Sequence, residues 1–161
     1  LFNVGDKVVY PMHGAGIIEA IEEKEILGER RKYYVMRMPI GDMKVMVPMN
    51  SVDHIGLREV VDEHTIEKVL DRMKRKDVGD TSNWSRRYRA NLDKMKSGDI
   101  YEVADVVRTL MLREEEKGLS TGERKMLENA KQILISELAL ARNLKEEQAF
   151  ELIDRVIFGK N

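Results

Sequence analysis

From residue 6 to residue 48, apolar residues come in short runs that alternate with polar ones and stop at turn signals. DKVVY (6–10) is β-branched and bounded by Gly5 and Pro11. AGIIEAIEEKEI (15–26) follows the turn MHG, and LGER (27–30) joins it to RKYYVMRM (31–38) as a hairpin. PIGD (39–42) then leads into MKVMVP (43–48), where Val45 and Val47 share one face and Lys44 and Met46 the other. Short strands of period two, joined by tight turns, predict a small β-barrel of four or five strands rather than βαβ units.

After Pro48 the apolar period lengthens to 3.6, which predicts about five helices. The first, over 62–75, carries Ile66, Val69, Leu70 and Met73 on one stripe, and the second covers 82–96. The third, over 99–117, turns Val103, Val107, Leu110 and Met111 inward, with Asp99 as N-cap and Gly118 as stop. Ser120-Thr-Gly-Glu123 is a capping box that opens a long helix bearing Met126, Leu127, Ala130, Ile133, Leu134 and Leu138. The last helix, over 145–158, carries Ala149, Phe150, Ile153, Val156 and Ile157. Short links between helices predict one packed bundle. The fold class expected is α+β, with a β-barrel domain over 1–53 and an all-α domain over 54–161.

Composition narrows the function classes. Of 161 residues, 42% are hydrophobic and 35% charged, and no apolar run reaches membrane-spanning length, so a soluble protein is expected. Asp6, Lys7 and Gly5 interrupt the first apolar segment, which argues against a signal peptide. There is no cysteine, which excludes disulfides and thiolate metal sites and fits a reducing, cytoplasmic interior. His13, His54 and His64 share no metal-ligand spacing, so no metal and no cofactor are expected. HGAG (13–16) lacks the Lys-Ser/Thr of a phosphate loop and reads as a turn in which Gly14 or Gly16 takes positive φ. The acidic residues fall at helix-surface spacing, as solvated faces and ion pairs do. Nothing here assembles a catalytic constellation, and a non-enzymatic protein is expected.

The densest candidate chemistry lies around Trp84, the one tryptophan. Over 81–96, Arg86, Arg87, Arg89, Lys94 and Lys96 stand against Asp93 alone, a net of +4 in a chain whose net charge is −1. Trp84, Tyr88, Leu92 and Met95 fall at helical spacing, so Trp84 reads equally as the first core residue of an amphipathic helix. Thr81, Ser82 and Asn83 are N-cap candidates, however, which puts the indole in the first turn, where it can overhang the bundle. Arginines at a positively polarised helix start favour an anion there, and phosphate is the natural one. A ring flanked by arginines is what a minor-groove wedge needs, and it is equally what a protein-binding hot spot needs. Near-zero net charge argues against DNA binding by blanket electrostatics, so any nucleic-acid contact must be local or helped by a tether.

NWSRRYRANLDKMKSGD (83–99), ELALA (137–141) and VGDKVVYPMHGAG (4–16) together resemble the CarD/CdnL family of bacterial transcription regulators, nearly from end to end. The N-terminal module alone is also similar to one in the transcription-repair coupling translocase, whose helicase motifs are absent here. The resemblance implies a Tudor-like or SH3-like domain that binds the RNA polymerase β subunit through the positions of Lys24, Ile26 and Met46. Some relatives carry arginine where Met46 stands, so the implied contact here is apolar instead of ionic. The resemblance further implies a helical domain at the upstream edge of the promoter bubble, acting to stabilise the open complex. There Trp84 would enter the distorted minor groove while Arg86, Arg89 and Arg124 face the DNA backbone, and Arg87 joins them as a candidate from the cluster itself. It implies a cytoplasmic, nucleoid-associated protein. The alternative from another class is an adapter whose helical domain binds a protein partner.

Overall fold

The short β-branched runs between turn signals fold into strands, and the stretches Val8–Val9 and Tyr33–Met36 are buried on both faces. The computed structural model describes residues 1–77 and 83–159. Strands β1 (Lys7–Tyr10), β2 (Gly14–Ile26), β3 (Glu29–Met38), β4 (Met43–Pro48) and β5 (Arg58–Glu59) form one antiparallel sheet in the order β4-β3-β2-β1-β5. The inner face carries Val8, Ile18, Tyr34, Met36 and Val47, all buried. Gly14 takes φ +113°, as the turn required, whereas Gly16 is constrained by proximity, since an added Cβ would lie 2.7 Å from the Arg37 carbonyl oxygen.

The expected barrel is not closed. The described sheet is open, with β4 and β5 as its two edges. Helix α1 (Val52–Ile55) supplies Val52 and the following turn supplies Leu57, and both pack onto the inner face. They cover apolar surface that a closing strand would otherwise have covered. Helix α1 is also one more helix than the periodicity predicts, because a single turn is too short to show a 3.6 period. It ends at Gly56, whose φ of +83° lets its N–H bond back to the Val52 carbonyl.

The remaining helices are α2 (Glu63–Arg72), α3 (Trp84–Lys96), α4 (Ile100–Glu116), α5 (Thr121–Arg142) and α6 (Glu146–Phe158). Asp99 and Ser120 cap α4 and α5 as the sequence indicates, each accepting a backbone N–H of the first turn. The predicted stripes of α2, α4 and α5 are buried in one core. Phe150 departs from its expected inward position: the ring is exposed on α6, and the Lys131 ammonium lies 4.5 Å from its centroid.

Sheet and bundle are joined by α5. Glu137, almost fully buried, accepts two hydrogen bonds from the Arg58 guanidinium, both 2.8 Å, and one from the Val61 N–H at 3.0 Å. Arg58 also donates through Nε to the Gly98 carbonyl at 2.9 Å, tying β5 to the turn between α3 and α4. Next door, the Ser136 hydroxyl accepts the Ala15 N–H at 2.8 Å and donates to the Ile133 carbonyl. One turn of α5 thus fastens β2, β5 and the linker to the helical core.

Candidate nucleic-acid interface

Helix α3 begins where Asn83 accepts the Arg86 N–H at 3.0 Å. Thr81 and Ser82, the other N-cap candidates, lie outside the described residues. The stripe Trp84, Tyr88, Leu92, Met95 runs from exposed to buried: Met95 is in the core, Leu92 and Tyr88 are partly buried, and Trp84 retains 45% of its surface. The indole therefore overhangs the end of the bundle.

Its orientation is defined by three neighbours. The indole N–H donates to the Ser120 hydroxyl at 2.8 Å. The ring stacks on Tyr88, with centroids 5.2 Å apart and planes inclined by 23°. Gly122, in the first turn of α5, lies beside both rings, where an added Cβ would stand 3.5 Å from Trp84 and 3.7 Å from Tyr88. The starts of α3 and α5 are thereby brought together.

The cations of the cluster divide into two groups. Arg86 and Arg89 are exposed and, with Asn83, Trp84 and Ser85, line one open concavity. Arg124, on the first turn of α5, is also exposed and donates to the Leu119 carbonyl at 3.3 Å. Arg87 instead turns back into the protein, where its guanidinium meets the buried Glu123 carboxylate at 3.0 and 3.3 Å. Lys94 pairs with Asp105 at 2.6 Å. A charge count confined to 81–96 overstates the outward charge because Glu123 and Asp105 come from other helices. Sequence reading missed Ser120, Gly122 and Glu123 as partners of Trp84 and Arg87; the capping box was legible, but only as a helix start.

Lys24, Ile26 and Met46 share the outer face of the sheet. Register pairs Met46 with Val35, Val35 in turn with Ala20, and Lys24 with Arg31, all pointing the same way. A bulge between Ile18 and Ala20 makes this possible, since it turns the even-numbered residues of β2 from the inner to the outer face. Ile26 and Lys24 are exposed, and Met46 is 36% exposed. The five methionines between 36 and 49 split in consequence: Met36 and Met38 fill the core, Met49 is partly buried, and Met43 and Met46 stand outside.

Among the described residues no group of three or more His, Asp or Glu side chains is placed to hold a metal, and no helix is long and apolar enough to cross a membrane.

Two family models match this chain: the CarD-like/TRCF RID domain over residues 2–61 and the CarD C-terminal domain over residues 68–154. The putative transcription factor YdeB of Bacillus subtilis (strain 168) is 45% identical over 148 residues, covering 92% of this chain and 97% of that protein. The solution NMR structure of the N-terminal domain of Myxococcus xanthus CarD matches with 40% identity and a TM-score of 0.32, over 36% of this chain and 77% of that one.

Proposed function

The chain belongs to the CarD family, and from that membership we propose that it is a non-enzymatic transcription regulator that binds RNA polymerase and stabilises the open promoter complex. The outer sheet face bearing Lys24, Ile26 and Met46 docks on the polymerase β subunit. Trp84 wedges into the minor groove at the upstream edge of the bubble, with Arg86, Arg89 and Arg124 against the phosphates. The observation that carries this reading is the 45% exposure of Trp84, a large ring left in solvent beside two outward arginines.

The physical case rests on differential binding. A ligand shifts melting only by favouring the open state over the closed one. Unstacking a base step costs a few kcal/mol, so an indole fits best where polymerase has already distorted the duplex. A coupling of about 1–3 kcal/mol would shift the balance roughly 5–150-fold. The DNA contact itself can be weak, because docking on polymerase raises the effective DNA concentration to roughly millimolar. That fits a chain of net charge −1, which gains little from long-range attraction to DNA.

The test is open-complex lifetime on a promoter. Trp84→Ala is expected to shorten it while leaving polymerase binding unchanged. An unchanged lifetime removes the wedge, and if polymerase-bound protein also leaves the promoter footprint unaltered, the adapter reading takes its place.

A further inference from the structure

Arg87 sits in the middle of the basic cluster yet points away from its neighbours. We propose that Arg87, Glu123 and Ser120 form a brace that fixes the orientation of the Trp84 indole, with Arg87 a positioning residue and not a phosphate ligand. The inference rests on the reading of Trp84 as the wedge, and it concerns how that wedge is held.

The brace is a continuous chain of polar contacts between α3 and α5. The Trp84 indole N–H donates to Ser120 Oγ at 2.8 Å. The same oxygen accepts the Glu123 backbone N–H at 3.2 Å, and its hydroxyl lies 3.4 Å from Glu123 Oε1 as donor. A serine hydroxyl has one proton and two lone pairs, so all three capacities are used. Glu123 then receives Arg87, through Nε at 3.0 Å and through the second nitrogen at 3.3 Å. Trp84 and Arg87 are three residues apart on α3, and Ser120 and Glu123 are three apart across the start of α5. Two pairs at helical spacing on facing helices hold one another in register.

Burial decides which way Arg87 faces. The Glu123 side chain is 3% exposed. A carboxylate there needs a cation, and stranding it costs more than an exposed arginine–phosphate contact returns. Swinging Arg87 out to DNA would strand it. Arg86 and Arg89 carry no such obligation in their exposed positions. Orientation matters to a wedge because a ring free to rotate must be ordered at the moment it enters the groove, and an already ordered one need not be.

The chain reports on its own brace, since Trp84 is its one tryptophan and all indole emission comes from this site. Three full-length variants separate the roles. Ser120→Gly keeps most of the helix cap while removing the hydroxyl. Arg87→Lys keeps the charge beside Glu123 but loses the two-pronged geometry. Arg86→Ala is the phosphate-contact control. The readouts are indole anisotropy and acrylamide quenching in the free protein, then open-complex lifetime and its salt dependence with polymerase on a promoter. Ser120→Gly and Arg87→Lys are expected to lower anisotropy, raise quenching and shorten the lifetime roughly fivefold, the worth of one hydrogen bond. Ser120→Thr is expected to restore all three. Arg86→Ala is expected to leave the indole unchanged and to reduce the salt slope by about one phosphate contact. An indole equally immobile in Ser120→Gly and Arg87→Lys overturns the brace. So does an Arg87→Gln variant that lowers the salt slope by about one with its indole signal intact. If the indole loosens while lifetimes stay put, the brace stands and the wedge reading falls.

Discussion

A methyl group on Gly16 would meet the Arg37 carbonyl oxygen at 2.7 Å and the Met38 sulfur at 2.8 Å. The sulfur can move, but the carbonyl belongs to the β2–β3 ladder and cannot. Gly16→Ala is therefore expected to destabilise the protein by about 1–3 kcal/mol, the usual cost of overpacking, seen as a lower urea midpoint at unchanged m-value. The residue-level chemistry was legible wherever it depended on near neighbours. Asn83 capping α3 and Gly14 taking positive φ are local events, and the sequence narrows each to a few neighbours, Thr81, Ser82 or Asn83 for the cap and Gly14 or Gly16 for the turn. The exposure of Trp84 was left open, because its stripe continues into the core and spacing alone does not say where the bundle ends. The inward turn of Arg87 was hidden, since Glu123 lies 36 residues away.

At the scale of elements, α4 is stitched to its neighbours through Asp105. That carboxylate bonds Lys94 of α3 at 2.6 Å and Arg108, one turn on, also at 2.6 Å. Arg108, buried, reaches back to the Arg75 and Asp77 carbonyls beyond α2. Burial pushes the Asp105 carboxyl up, but the hydrogen bonds from Lys94 and Arg108 outweigh it and hold the group below the ordinary aspartate value of 3.8. The unfolded chain thus binds this proton more readily than the folded one. The stability Asp105 contributes is fully present above 3.8 and is lost as pH falls through the lower folded value. Asp105→Asn should accordingly be less stable than wild type at neutral pH, with the two urea midpoints converging as the pH drops below 3.8. Element types and caps were readable because periodicity and capping residues are continuous in sequence. Closure of the sheet was not readable: whether β4 meets β5 depends on what else covers the inner face, and Val52 and Leu57 do so from a segment with no period of its own.

For the molecule as a whole, the proposed function needs two surfaces held in one frame, the sheet face that docks and the helix end that wedges. Glu137 accepts three of the hydrogen bonds that hold that frame. Its carboxylate serves Arg58 and Val61 from positions 79 and 76 residues distant, a separation that no local pattern reveals even though ELALA itself stands out in the sequence. Glu137→Ala leaves the Arg58 guanidinium at the junction without its countercharge. Losing one partner of a buried pair costs about 3–5 kcal/mol, and the 29% exposure of the Arg58 side chain places the expected loss at the low end. Neither Lys24, Ile26 and Met46 nor Trp84 and its arginines touch this junction through any of those hydrogen bonds. Polymerase binding by the variant is therefore expected to match wild type at a temperature where both are folded, and the indole anisotropy should match as well. Open-complex lifetime should nonetheless fall, because the sheet and the bundle can now shift against one another and the wedge is no longer delivered at one distance from the dock. Spin labels at Arg30 on the β2–β3 hairpin and Lys125 on α5 read that distance directly, and a broadened distribution in Glu137→Ala with both local surfaces intact is the expected result. An unbroadened distribution accompanied by a shortened lifetime would mean that Glu137 acts on the promoter by some route other than the frame.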